Sequence, residues 1–137
     1  MADGKISLEL VTPERRVLTQ AVDEVRAPGW EGSFGVRPGH MAFLARMKPG
    51  ELVTVAGGAP SRFAVGEGFV QVSNDRVLVL AESAERAEDI DLTAAKGEVE
   101  EETKKLKTMK EGDGAYEMQR AKVERAAAKV MVASRKA

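Results

Sequence analysis

Apolar and polar positions alternate singly near the start of this chain, with Ile6, Leu8 and Leu10 set against Lys5, Ser7 and Glu9. A period of two puts the two sets on opposite faces of an extended backbone, so the segment predicts a half-buried strand. Further strands are expected at Val22 to Ala27, Gly50 to Ala56, Arg62 to Val65, Gly68 to Val72 and Arg76 to Ala81. The turn signals GGAP, GEG and SND stand between the later ones. No stretch of helical period separates these runs. That pattern disfavours a parallel sheet with crossover helices and favours a small antiparallel sandwich or flattened barrel.

From Leu92 the period changes. Leu92, Ala95, Val99, Glu102, Leu106 and Met109 recur at alternating three- and four-residue intervals, a single helical seam interrupted only by Glu102, with Asp91 placed as its N-cap. Gly112-Asp113-Gly114 breaks the helix, and Tyr116, Val123, Ala127 and Val130, with Ala126 and Ala133, form a second seam. The expected fold is therefore an N-terminal antiparallel β-sandwich, residues 1–88, followed by a C-terminal antiparallel helical hairpin, residues 89–137. Fully burying a Leu, Val or Met is worth roughly 1.5–3 kcal/mol and an alanine much less, so these alanine-rich seams make a hairpin that needs another surface to dock on.

Composition sharpens the division. All 5 prolines precede residue 61, and of the aromatics only Tyr116 lies beyond Phe69. A length of 137 residues suits one ordinary domain with a helical appendage. The net charge of −1 offers no basic field for nucleic acid. Cysteine is absent, which removes disulfides and thiolate chemistry and fits a reducing compartment. The opening residues carry Asp3 and Glu9 and no apolar run long enough for a leader or a membrane span. The chain reads as soluble and cytoplasmic, reaching a membrane only through a protein partner.

Catalytic patterns are missing. His40 is the only histidine, and no nucleophile-elbow pattern accompanies it. The stretch GWEGSFG lacks both the Lys-Ser/Thr ending of a phosphate loop and the spacing of a dinucleotide site, and no metal-ligand motif occurs. Glu98, Glu100, Glu101 and Glu102 face Lys104, Lys105, Lys107 and Lys110 at helical spacing, as a solvated face with weak ion pairs does. What stands out instead is Val22 to Gly50, where Gly29, Gly32, Gly35, Gly39, Pro28, Pro38 and Pro49 surround Trp30 and His40. Two readings of Trp30 stand side by side, a ring that closes one end of the core and an exposed interface anchor. Phe34 alternates with Val36 as a short strand, and His40 either pins the turn or makes a contact.

Leu8 to Leu18 (LELVTPERRVL), PGWEGSFGVRPGH, MKPG, GEGFVQVSNDRVLVLAESAE and EDID together resemble the epsilon subunits of the F-type rotary ATP synthase, called delta in mitochondria. The resemblance implies a ten-stranded sandwich and a two-helix tail with no active site. It implies a rotor role, gripping the gamma subunit and resting on the ring of c subunits, peripherally on the cytoplasmic side of the inner (plasma) membrane. The ring-facing loop would be Trp30, Glu31, Gly32, Ser33, Arg37 and His40. In many bacterial members the hairpin extends into the alpha/beta catalytic head and blocks hydrolysis. Here Arg120, Lys122, Arg125 and Lys129 would supply the basic contacts. Some members bind ATP between sandwich and hairpin through Ile-Asp, two residues, then Arg-Ala. This chain keeps Ile90, Asp91 and Arg125 but has Ala94 at the motif arginine, so no nucleotide cofactor is expected and Asp91 is better explained as a helix cap. The rival reading is a non-motor sandwich adaptor with a helical interaction tail.

Overall fold

In the computed structural model, which describes residues 4–135, ten strands precede two helices. Asp3 of the opening segment lies outside the described residues. The strands are β1 (Ile6–Val11), β2 (Arg16–Val22), β3 (Glu24–Gly29), β4 (Gly32–Val36), β5 (Phe43–Met47), β6 (Gly50–Ala56), β7 (Ala59–Val65), β8 (Gly68–Ser73), β9 (Arg76–Ala81) and β10 (Ala84–Arg86). A 3-10 turn at Ala87–Asp89 leads to α1 (Leu92–Lys107) and α2 (Gly114–Arg135).

The strand order β10-β7-β6-β3-β5-β8-β9-β1-β2 is continuous, with β4 paired to β3 outside that path. β3 serves both halves of the sheet. Glu24 to Arg26 pair with Val55 to Val53 of β6, while Gly29 pairs with Met47 of β5. The sheet folds over at this shared strand, so β10-β7-β6 and β5-β8-β9-β1-β2 become two facing layers with one core between them. Alternation fills that core as expected: Ile6, Leu8, Leu10, Val70, Val77 and Val79 come from one layer and Leu52, Phe63 and Val65 from the other.

Some expectations need correction. The pairing of β1 with β9 is parallel, Ser7 opposite Arg76 through Val11 opposite Leu80, so the sandwich is not wholly antiparallel. The expected strand Val22 to Ala27 is two strands broken at Asp23, whose N–H donates to Val55 O and whose carboxylate accepts from Lys5 Nζ and Gly57 N–H. Strands β2 and β10 carry no clean alternation, and the nearly continuous apolar sequence of β5 hides the alternating burial of its residues. In the second helical seam Ala127 is exposed, while Ala128 and Val132 are buried beside Ala126 and Ala133. The docked face is rotated because α2 must meet both α1 and the sheet. Met109 lies beyond α1 and is partly exposed.

Asp91 caps α1 as expected, its Oδ1 accepting the Ala94 N–H at 3.1 Å. The Glu102 that interrupts the first seam is used: Gln119 Nε2 donates to its backbone oxygen at 2.9 Å and approaches its carboxylate at 3.3 Å, tying the two helices together. Ala64, Ala87, Ile90, Ala95, Ala128, Val132 and Ala133 form a second buried cluster beneath the hairpin, separate from the sandwich core.

Hydrogen bonding from Lys5, reinforced by the Gly57 N–H, holds the Asp23 carboxyl below its ordinary value. Arg26 acts in the same direction on Glu24, and Lys105 with Gln119 on Glu102. A carboxyl lowered by folding contributes its full stability above the unfolded-state value and loses it as pH falls through the folded one. Stability should therefore hold from neutral pH down to about 5 and decline below about 4. Asp23→Asn should flatten part of that acid limb. Denaturation midpoints from pH 7 to 2 check this, and identical acid slopes for the two chains would refute the role of Asp23.

Candidate functional site

The turn joining β3 to β4 and the loop joining β4 to β5 lie together at one end of the sandwich. Trp30 N–H donates to Arg46 O and Lys48 N–H to Pro28 O, both at 2.9 Å, which locks the end of β3 against β5. Trp30 is 51% exposed, with the Arg46 guanidinium 4.5 Å from its ring centroid. The ring therefore does not close the core but lies at the surface. Phe34 takes the other role, packing against the core and meeting Phe43 edge-on at 5.3 Å.

Trp30, Glu31, Gly32 and His40 line one groove of about 690 Å³ with Met41 and Leu44. Ser33 and Arg37 are exposed beside it without lining it, and Arg37 reaches Glu24 at 3.5 Å. The His40 ring leans on Phe43 at 4.9 Å, and its Nδ1 stands 2.8 Å from the Met41 carbonyl oxygen. Gly32 and Gly39 have left-handed φ of 132° and 84°, and a Cβ at either would meet nothing within 4 Å. Their surroundings are open to another molecule.

An apolar face continues from this end. Arg46, Phe69 and Leu80 stand in register across β5, β8 and β9. Phe69 is 47% and Leu80 46% exposed, while Leu44 and Met41 reach 68% and 81%. Sequence reasoning missed Met41, Leu44, Phe69 and Leu80. The signal was β9, Arg76–Ala81, where Leu78 and Leu80 on the outer face accompany Val77 and Val79 on the inner one. A run apolar on both faces marks a strand covered on both sides.

The second-helix cations divide into two pairs. Arg125 Nη1 lies 3.4 Å from Glu67 of the sandwich, and Lys129 Nζ lies 3.2 Å from Glu98 of α1 and 3.9 Å from Glu85 of β10. Arg135 adds a 2.7 Å bridge to Glu51, which is only 10% exposed. Arg120 pairs along its own helix with Glu117 and Glu124, and Lys122 is exposed. A cleft of about 540 Å³ between sandwich and hairpin is lined by Glu82, Glu85, Glu98 and Glu102 along with Lys122, Arg125 and Lys129. Among the described residues no group of three or more His, Asp or Glu is placed to hold a metal, and no helix is long and apolar enough to cross a membrane.

The profile of the ATP synthase delta/epsilon chain β-sandwich domain matches residues 5–87. The chain belongs to this family. It is 47% identical over 130 residues to an ATP synthase epsilon chain of Anaeromyxobacter sp. (strain Fw109-5), covering 95% of this chain and 98% of that one. It is 42% identical over 131 residues to the ATP synthase epsilon chain of Myxococcus xanthus (strain DK1622), covering 96% of each. Family membership thus extends beyond the sandwich into the hairpin. A chain in the mitochondrial ATP synthase of Euglena gracilis, from a structure of its OSCP, F1 and c-ring, superposes with a TM-score of 0.78 over 96% of this chain and 81% of that one. At 23% identity that likeness is one of fold.

Proposed function

We propose that this chain is a central-stalk subunit of the F-type proton-translocating ATP synthase, a non-catalytic part of the rotor that couples the gamma subunit to the c ring. The observation that carries the reading is near-full-length kinship with ATP synthase epsilon chains, hairpin included. Two surfaces suit the two contacts. The outer face bearing Leu44, Phe69 and Leu80 is apolar enough to be a permanent interface, and we assign it to gamma. The loop end carrying Trp30, Glu31, Gly32, Ser33, Arg37 and His40 presents charged groups and open glycines, and we assign it to the polar loops of the c ring. The chain then sits peripherally on the cytoplasmic side of the inner membrane. The division at residues 88 and 89 belongs to the same reading, with the sandwich holding these contacts and the hairpin free to act separately.

The hairpin is the regulatory element in this reading, able to reach the alpha/beta head and slow hydrolysis. While it is docked Lys122 is exposed, and Arg120 is tied to Glu117 and Glu124 of its own helix. Arg125 and Lys129 are held by Glu67, Glu85 and Glu98 and become available only when it leaves. We assign no nucleotide to the cleft beneath it: four carboxylates face three cations there, and a triphosphate would have to displace those carboxylates. Asp91 is engaged as a helix cap.

Affinity purification of the tagged chain from gently solubilised membranes, with mass spectrometry of what accompanies it, tests the assignment. Gamma, the c ring and the catalytic subunits should be recovered together. Recovery of none of them from membranes holding an intact synthase would return the chain to the non-motor adaptor reading.

A further inference from the structure

The turn between β8 and β9 places Asn74 and Asp75 in the left-handed region, at φ of 50° and 59°. A two-residue hairpin turn of this hand matches strand twist, and glycine is its preferred second residue because a Cβ resists that conformation. Asp75 occupies the glycine position. What its side chain does there is visible in its partner: Oδ1 accepts the N–H of Gly39 at 2.7 Å, bridging 36 residues of sequence. Its backbone oxygen meanwhile accepts from Ser7 N–H at 2.9 Å, anchoring the turn to β1. An unfavourable backbone held in place by such ties points to a use for the side chain.

The loop it touches is otherwise tied mainly to itself. His40 N–H donates to Arg37 O at 3.1 Å, and the His40 ring stays with Met41 and Phe43. Gly39 is left-handed, has open space on its outer side and has no side chain to anchor it. Apart from the exposed Arg37, which reaches Glu24 of β3 at 3.5 Å, a charge-assisted bond to the Gly39 amide is what ties the loop to the β8–β9 turn.

We propose that Asp75 is the positioning residue of this contact loop, its carboxylate fixing Gly39 and thereby the presentation of His40 and Met41 to the c ring. The inference rests on the loop's assignment as a ring contact. Asp75 itself touches no partner. It sets the shape that the partner meets and lowers the ordering cost of docking.

The test compares full-length Asp75→Gly and Asp75→Asn with the unaltered chain by thermal unfolding, amide exchange at Gly39 to Ala42, and affinity for purified rotor stripped of this subunit. Glycine relieves the turn, so Asp75→Gly should unfold at the same or a higher temperature. Its loop amides should exchange about tenfold faster and its affinity should fall about tenfold, the equivalent of about 1.4 kcal/mol. Asparagine keeps an acceptor oxygen and should restore both readouts to within about twofold. A purely local role for the turn predicts higher stability with unchanged exchange and affinity, and that result would overturn the proposal. So would an asparagine variant that behaves like the glycine one. Failure of the unaltered chain to bind the rotor would instead overturn the functional assignment, while loop exchange would still decide whether Asp75 holds Gly39.

Discussion

Gly68→Ala is expected to cost the chain its sandwich. Gly68 sits where β8 pairs with Met47 on one side and Ala81 on the other. A Cβ there would be driven into the Leu80 carbonyl oxygen and would stand 2.8 Å from its carbon and 3.0 Å from the Ala81 Cα. These are backbone atoms of a central ladder, which cannot swing aside as a side chain can. Accommodation requires separating β8 from β9, and a penalty on the order of 4 kcal/mol or more is expected. That is a large share of the roughly 5–15 kcal/mol that holds an ordinary domain together. The same substitution at Gly97 is the control. A Cβ there meets nothing within 4 Å, and the residue lies within α1, so alanine should stabilise the helix by roughly 0.5–1 kcal/mol. Thermal unfolding by circular dichroism reads both, and a Gly68→Ala chain melting within a few degrees of the original would contradict the steric account.

Charge reversal at the hairpin is expected to free it while leaving the sandwich intact. Beneath the hairpin only Ile90 and Val132 are large and fully covered, and the rest of the buried cluster is alanine. Two such side chains contribute about 3–6 kcal/mol. The ion pairs at Arg125 and Lys129 are half-exposed and worth little each, but reversing their sign places new carboxylates beside Glu67, Glu85 and Glu98. Arg125→Glu with Lys129→Glu should raise amide exchange through α2 at least about tenfold, with strand amides unchanged. High salt should act in the same direction more weakly. In the assembled synthase, a chain ending at Asp91 should assemble and relieve any inhibition of ATP hydrolysis. Equal inhibition by full-length and shortened chains would remove the regulatory role, and unchanged exchange in the reversed variant would show that apolar packing alone holds the hairpin.

How far the sequence could be read follows from what each segment buries. β1 and β8 were legible because each has one face in the core and a period of two to show for it, while β6 and β9 were legible as short apolar runs bounded by turn signals. β2 was not, because Arg16–Val22 is mostly exposed along its length and its partner rather than its own pattern makes it a strand. The break at Asp23 was hidden for a different reason: the residue works through Lys5 and Gly57, far away in sequence. At the candidate site the loop was conspicuous from its glycines, its prolines and its single Trp and His. The grouping of Trp30, Glu31, Gly32 and His40 around one groove, with Ser33 and Arg37 outside it, depends on how β3 and β5 meet. The division of the second-helix cations depends on α2's rotation, which an alanine-rich seam leaves undetermined until both of its neighbours are in place.

The parallel seam between β1 and β9 sets the order in which the molecule is made. Leu8 finds its partner Val77 only after nearly the whole sandwich has left the ribosome, so the first strand, with β2 beside it, waits through most of synthesis for its place in the sheet. Closing so long a loop costs more entropy than forming a hairpin, and pairing of this non-local kind tends to come late. Every residue of α1 and α2 emerges later still. The helices arrive at a finished surface, and none of the sheet's strand pairings runs through them.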